Sequence, residues 1–316
     1  MHHLLNLADM SAAEIDHLCA QARIMKHARG ASSHAAMLSG RTIALLFEKP
    51  SLRTRVSFEV AARELGAESL YLSPQEVGLN KRESVADVAR VLSSYVHAIV
   101  LRTFDHEIAE EFAHYATVPV INGLTAAHHP CQGLTDVFTI VEHCGRRPDL
   151  TVTFVGDGNN CAHSLMQAAV KLGMHIRIAT PPGYGPDPAL VAQVLQDAAR
   201  SGGSIIVMTD PRAAAVGADV LYTDVWTSMG QEDEADARRA CFTPYRIDST
   251  LLALAKPDAI VMHPLPAHRN EEISDDVIDG LHSRVFVQAE NRLHMQKAIL
   301  RELVGVAATA QVVLTA

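Results

Sequence analysis

Six short polar stretches hold residue types that can do chemistry, and each follows an apolar run. In Phe47-Glu48-Lys49-Pro50-Ser51-Leu52-Arg53-Thr54-Arg55, Pro50 and Ser51 suit the start of a helix. First-turn N–H groups, the hydroxyls of Ser51 and Thr54 and the guanidinium of Arg53 then make a cradle for a phosphate. The plainer reading of these residues is a serine cap beside surface arginines. Arg53 and Arg55 stand two apart and leave the helix on different faces, so one can bind while the other holds structure. Arg102 follows the run Ala98–Leu101; in isolation it reads as a surface arginine.

The stretch His128-His129-Pro130-Cys131-Gln132 opens a helix at Pro130. His129 and Gln132 lie three apart across that start and can face one ligand together. A neutral imidazole and an amide both donate to a carbonyl oxygen. His128, His129 and Cys131 lack a second ligand pair at fitting spacing, so no metal is expected. Gly156-Asp157-Gly158-Asn159-Asn160 looks like a dinucleotide-binding turn without its third glycine. Its amides at a helix start can instead hold a carboxylate. In Asp224-Val225-Trp226-Thr227-Ser228-Met229-Gly230, Asp224 can pair with an amine, and Ser228-Met229-Gly230 can fold over a substrate. Two prolines stiffen His263-Pro264-Leu265-Pro266, whose carbonyls can hold an NH2 group. The joint set suits a carbamoyl phosphate beside an amine.

The elements that must position these residues are short apolar runs alternating with amphipathic stretches. The runs are Thr42–Phe47, Ser69–Leu72, Ala98–Leu101, Val118–Ile121, Thr151–Val155, His175–Ala179, Ser204–Met208, Val220–Thr223, Ala259–Met262 and Val285–Val287. Continuous apolar strands separated by helices predict an α/β chain of two domains, each a mostly parallel sheet covered by helices. In such sheets ligands collect at the carboxyl ends of strands, where these motifs lie. Gly145, Pro148 and the charges around them place the domain junction at residues 147 and 148. The expected domains are 1–147 and 148–290, with the C-terminal helix, 291–316, packing back on the first.

A chain of 316 residues with 48% hydrophobic and 20% charged residues is long enough for two cores. A net charge of −9 leaves no overall basic surface for nucleic acid. Apolar runs such as Ile205–Met208 fall far short of the ~20 residues a membrane span needs. Five cysteines without a CxxC pair fit a reducing compartment, and no leader segment stands at the start, so a cytoplasmic protein is expected.

Read in order, these motifs and Glu290-Asn291-Arg292 resemble the aspartate/ornithine carbamoyltransferase family over almost the whole chain, from about Asp9 to Val304. The resemblance implies an amino-terminal domain for carbamoyl phosphate, a carboxy-terminal domain for the amino acid, and homotrimers or multiples of trimers. It implies transfer of the carbamoyl group to the side-chain amine of ornithine, giving citrulline and phosphate in arginine biosynthesis, with no cofactor. Carried over residue by residue, Ser51, Leu52, Arg53 and Thr54 match the phosphate loop. Arg102, His129 and Gln132 match the surroundings of the carbamoyl carbonyl. Asn160, Asp224, Ser228 and Met229 match the ornithine contacts. Pro264, Leu265 and Arg292 match positions that close around carbamoyl phosphate. Arg53, Thr54, Arg102, His129, Gln132 and Asp224 are the implied catalytic set.

Three positions depart from the pattern. Leu52 stands where the family usually has Thr, so any contact there comes from the backbone. Pro264 stands where ornithine enzymes carry Cys and aspartate enzymes carry Pro. Gly78 stands where the family reaches a neighbouring subunit with Gln or His, and Lys81 or Arg82 is the expected substitute. The competing readings are a carbamoyltransferase for putrescine or aspartate, a non-catalytic carbamoyl-phosphate binder, and a dinucleotide-dependent oxidoreductase.

Overall fold

The structure is a computed structural model that describes residues 2–30, 37–79, 82–228 and 230–305. Its contacts divide the chain into two compact units. One holds the residues up to Leu134 and those from Asn291 onward; the other is Thr135–Glu290.

The first unit contains, in chain order, α1 (Ala12–His27), β1 (Thr42–Phe47), α2 (Leu52–Glu64), β2 (Glu68–Leu72), α3 (Pro74–Val77), α4 (Val85–Ser93), β3 (Ala98–Arg102), α5 (His106–Tyr115) and β4 (Val120–Leu124). Helix α6 (Pro130–Cys144) begins in this unit and continues into the second. There follow β5 (Thr151–Val155), α7 (Asn160–Lys171), β6 (His175–Ala179), α8 (Pro188–Ser201), β7 (Ser204–Met208), α9 (Pro211–Ala215), β8 (Val220–Tyr222), α10 (Ala235–Phe242), α11 (Ser249–Leu252), β9 (Ile260–Met262) and α12 (Asp275–Ile278). Helix α13 (Val285–Leu300) starts in the second unit and ends in the first.

Both sheets are parallel. The first has strand order β2-β1-β3-β4 and the second β7-β6-β5-β8-β9. Their central strands are buried, β3 throughout and β5 from Val152 onward, as parallel strands covered on both faces require. In the first unit, Leu46, Ile99, Leu101, Val88, Leu92 and Phe112 form one core that joins the sheet to α4 and α5. In the second, Val155, Leu221, Val261, Ile247, Val277 and Val285 form another. Residues before α1 continue the first sheet: Asn122 donates its backbone N–H to Leu4, so the edge of β4 is covered. Helix starts follow their cap residues. Ser11 and Glu14 form a capping box for α1, and Ser51 accepts from Thr54 N–H at α2.

Strand order creates one switch point in each sheet. Chain leaving β1 turns toward β2 while β3 pairs on the other side, so a crevice opens beyond the ends of β1 and β3. Residues 48–54 and Arg102–Phe104 flank it. In the second sheet, β5 is followed outward by β6 and β7 and pairs on its other side with β8. Residues 156–160 and 223–228 flank that crevice.

One expectation is corrected. Val285–Val287, read as a strand, opens α13; its β-branched residues belong to a helix that continues to Leu300, where position in the second core outweighs local propensity. By contacts alone, the division between the two compact units falls inside α6, after Leu134, and the helix runs on to Cys144. Lys81 lies outside the described residues. Gly78 takes φ +61 at the end of α3, where a residue with a side chain is strained.

The glycines of the Gly156–Asn160 turn also have structural reasons. Gly156 has φ +141, and a Cβ on Gly158 meets Pro186 N at 2.3 Å and the Gly185 carbonyl carbon at 2.4 Å. The chain's own 184–186 segment thus occupies the space against Gly158, which donates its N–H to the Tyr184 carbonyl. A pyrophosphate cannot approach that face, so the dinucleotide reading fails on geometry. Gly158→Ala must displace backbone. We expect urea unfolding to show a loss of more than about 1 kcal/mol, whereas Gly185→Ala, whose Cβ would meet nothing closer than Thr180 Oγ1 at 3.7 Å, loses less.

Candidate active site

The first-unit crevice is built from the N-terminus of α2, the end of β3, the turn before α6, and α13. Ser51 is the N-cap of α2, and its side chain accepts from Thr54 N–H at 3.3 Å. Thr54 is buried, and its Oγ1 accepts from Arg292 Nη2 at 2.6 Å. An oxygen that accepts from Arg292 keeps its own O–H to donate, so the threonine hydroxyl is aimed by the arginine. Arg53 is half-buried on the same turn. Arg55 faces elsewhere: it stacks 3.7 Å from the ring of Tyr71 and donates to Glu59 at 2.8 Å. Leu52 is 75% exposed, so only its backbone can serve a ligand.

Arg102 ends β3 at a register shift between Leu101 and Arg102, a bulge that re-aims the side chain, and it is buried. Its carbonyl accepts from Glu48 N–H, which ties the β1 and β3 ends together. Lys49 lies 3.9 Å over the Phe104 ring, and burial, then the nearby Arg102, hold its ammonium below the usual lysine range. His129 is placed by a turn in which Thr125 N–H donates to the His128 carbonyl and His128 N–H donates to Thr125 Oγ1. The His129 carbonyl then accepts from Gln132 N–H, which brings the buried Gln132 onto the first turn of α6.

Electrostatics fix the state of His129. Burial, then Arg292, then Arg102, hold it well below the ordinary histidine range. It is a neutral imidazole near pH 7, with one N–H to donate. Burial also pushes the Cys131 thiol up to about 12, so it is no thiolate ligand at neutral pH.

The second-unit crevice is organised around two buried carboxylates. Asp224 Oδ2 accepts from Asn159 Nδ2 at 2.9 Å, and its Oδ1 accepts from Val225 N–H at 2.8 Å. Asn159 is also the N-cap of α7. Asn160 begins that helix and Ser228 follows β8; both are half-buried. Met229 lies outside the described residues. Asp157 pairs with Arg238 at 3.2 Å, and burial pushes its carboxyl up to about 6 despite that arginine. Arg238 also donates to the Trp226 carbonyl at 2.9 Å, which joins the segment after β8 to the turn after β5. In the loop after β9, Pro264 is buried and Leu265 half-buried.

Asn159, Asp157 and Arg238 were not singled out by sequence. Asn159 stood in a recognised motif beside Asn160 but gave no sign of which amide meets Asp224. Arg238 lies on a helix distant in sequence from its partner. One group with metal-ligand chemistry, His268, Glu271 and Glu272, has ligand atoms within 4.8 Å of one another. Glu271 pairs with Arg239, and Glu272 accepts from His263 and from His268 N–H, so these carboxylates already serve the protein.

Two sequence patterns cover this architecture. Residues 2–142 match the carbamoyl-P binding domain of aspartate/ornithine carbamoyltransferase, and residues 148–303 match its Asp/Orn binding domain. The chain belongs to the aspartate/ornithine carbamoyltransferase family. Among its relatives, the ornithine carbamoyltransferase of Anoxybacillus flavithermus is 51% identical over 299 residues, covering 95% of each chain. The anabolic ornithine carbamoyltransferase of Pyrococcus furiosus is 51% identical over 302 residues, covering 96% of each. The solved structure of a Pyrococcus furiosus ornithine carbamoyltransferase superposes with TM-score 0.94 at 51% identity, covering 96% of this chain and 97% of that one. An anabolic enzyme of the same name from Campylobacter jejuni superposes with TM-score 0.91 at 38% identity, covering 96% and 99%.

The depressed His129 has a signed consequence. In the unfolded chain the imidazole takes a proton near pH 6.5; the folded chain resists it. Below that pH the unfolded state binds more protons, so stability falls as pH falls. We expect His129→Gln to lose stability less steeply between about pH 7 and about pH 5.5, by up to about 1.4 kcal/mol per pH unit. Urea midpoints across that range measure it; parallel curves for the two proteins would refute the assignment.

Proposed function

We propose that the protein transfers the carbamoyl group of carbamoyl phosphate to the side-chain amine of L-ornithine, giving L-citrulline and phosphate, as a step of arginine biosynthesis. The observation that carries this reading is the first-unit cluster in which Arg292 aims the Thr54 hydroxyl while Arg102 and a neutral His129 stand close enough to share one field.

The phosphoryl group rests on the first turn of α2, where N–H groups and the helix dipole favour an anion, held by Ser51, the Leu52 backbone, Arg53 and Thr54. The carbamoyl oxygen faces Arg102, His129 and the Thr54 hydroxyl, with Gln132 beside it. Arg292 holds Thr54, and the carbonyls of Pro264 and Leu265 accept from the carbamoyl NH2. The neutral amine attacks the carbamoyl carbon and negative charge grows on the oxygen. Donors already in place stabilise it without reorganisation. The C–N bond forms, the C–O bond to phosphate breaks, and the nitrogen loses a proton.

Asp224 supplies the acceptor side. Its carboxylate, held by Asn159, attracts an ammonium and repels a second carboxylate, which favours ornithine over aspartate. Asn160, Ser228 and Met229 complete that contact. Holding amine and carbonyl in one geometry supplies much of the rate. The transfer involves no change of oxidation state, and no cofactor enters it.

The assembly proposed with this reading is a homotrimer or a multiple of trimers, in the cytoplasm. The five cysteines are thiols, and no helix of the described residues is long and apolar enough to cross a membrane.

A colorimetric citrulline assay with ornithine, putrescine and aspartate tests the reading. We expect turnover with ornithine; turnover only with another amine would reassign the acceptor, and binding of carbamoyl phosphate with no product from any amine would leave a non-catalytic binder. Arg53→Ala is expected to lower kcat/KM for carbamoyl phosphate by at least about 100-fold with an unchanged circular-dichroism spectrum. Near-wild-type activity would remove Arg53 from the site.

A further inference from the structure

The loop after β9 is held by a buried pair that the reaction itself does not use. His263 and Glu272 are both 0% exposed, and His263 Nε2 lies 3.0 Å from Glu272 Oε1. His263 Nδ1 lies 2.9 Å from Leu265 N. A backbone N–H can only donate, so Nδ1 carries the lone pair and Nε2 carries the proton, which it donates to Glu272. The tautomer is thereby decided by geometry. Glu272 Oε1 also accepts from His268 N–H at 2.6 Å. One carboxylate oxygen therefore ties the first residue of the loop to a residue near its far end. From the other side, Gln288 Oε1 accepts from His263 N–H at 2.9 Å, and Gln288 Nε2 donates to Asp136 at 2.7 Å and to the Tyr222 hydroxyl at 3.1 Å.

What this framework holds is an unfavourable backbone. Leu265 has φ +59, in the left-handed region that side chains other than glycine rarely adopt. Such a backbone is unfavourable and persists only where its surroundings impose it. The N–H of that same residue is the one His263 captures. The φ of Leu265 sets where the Pro264 and Leu265 peptide groups, and hence their carbonyls, point.

We propose that His263 and Glu272 are positioning residues: the Glu272-oriented imidazole of His263 captures Leu265 N–H and thereby aims the loop carbonyls at the NH2 of the carbamoyl donor. This rests on the function proposed above. It separates recognition of the donor's NH2, made by the loop, from recognition of its phosphate, made at α2.

Acetyl phosphate makes the separation measurable, because it carries a methyl group where carbamoyl phosphate carries NH2. The enzyme is assayed for citrulline formation, with acetyl phosphate as competitive inhibitor. Citrulline formation by the unaltered enzyme is the independent check on the function; without it the function itself fails, whatever the variants do. For His263→Ala we expect KM for carbamoyl phosphate to rise about tenfold or more and the inhibition constant of acetyl phosphate to stay within about twofold. His263→Asn keeps an oxygen able to accept from an N–H two residues on, as in an Asx turn, and is expected to recover most of the loss. Glu272→Gln is expected to fall between them. Equal weakening of both phosphates by His263→Ala, no change in either, or no recovery in His263→Asn would each overturn the proposal. Should His263→Ala fail to fold, the comparison of His263→Asn with Glu272→Gln applies the same two constants.

Discussion

A threonine hydroxyl and an arginine from opposite ends of the chain meet in the first unit, and much of the site follows from that contact. Arg292 lies on α13 and Thr54 on the first turn of α2, both are buried, and they are joined at 2.6 Å. Burying a guanidinium is costly unless its hydrogen bonds are met, so the contact constrains where α13 can lie within that unit. Two further contacts from the same helix region agree with it: Lys26 donates to Asn291 at 2.9 Å, and Lys297 pairs with Glu64 at 2.9 Å. The C-terminal helix is thus fastened at both α1 and α2. With Arg292 fixed, its charge reaches His129, and the imidazole stays neutral.

The same logic governs both sheets. Each has one switch point, and polar groups gather there because strand ends leave backbone and helix starts uncovered. In the first unit the result is electropositive, with Arg102 and Arg292 buried beside a helix N-terminus. In the second it is electronegative, with Asp157 and Asp224 buried and, among the described residues, a guanidinium paired with Asp157 alone of the two. An anionic donor and a cationic acceptor are the ligands these two fields prefer. The net charge of −9 says nothing of this, because sums over a surface average away a few buried groups.

Much of the architecture was legible because parallel strands buried on both faces are continuous apolar runs. Thr42–Phe47, Thr151–Val155, His175–Ala179 and Ser204–Met208 have the observed ends. Val285–Val287 misled because three β-formers at a helix start cannot be told from a short strand by periodicity alone. The position of Arg102, Thr54 and His129 beyond strand ends was legible from motif order. Their contacts were not: nothing local links Arg292 to Thr54, or Glu272 to His263, and the Leu101/Arg102 bulge leaves no mark in composition. Asn159 was hidden by its neighbour Asn160, since two adjacent amides at a cap look alike until the turn aims one at Asp224. Gly158 read as half of a dinucleotide motif, while its actual constraint is the chain's own 184–186 segment.

A double-mutant cycle on Thr54→Val and Arg292→Gln, read as kcat/KM for carbamoyl phosphate, tests the central contact most directly. If Arg292 acts by aiming the Thr54 hydroxyl, the second substitution costs little once the first is made. The account predicts a coupling of at least about 1 kcal/mol between the two positions. Strictly additive losses would contradict it, because they would mean that each side chain serves the substrate independently.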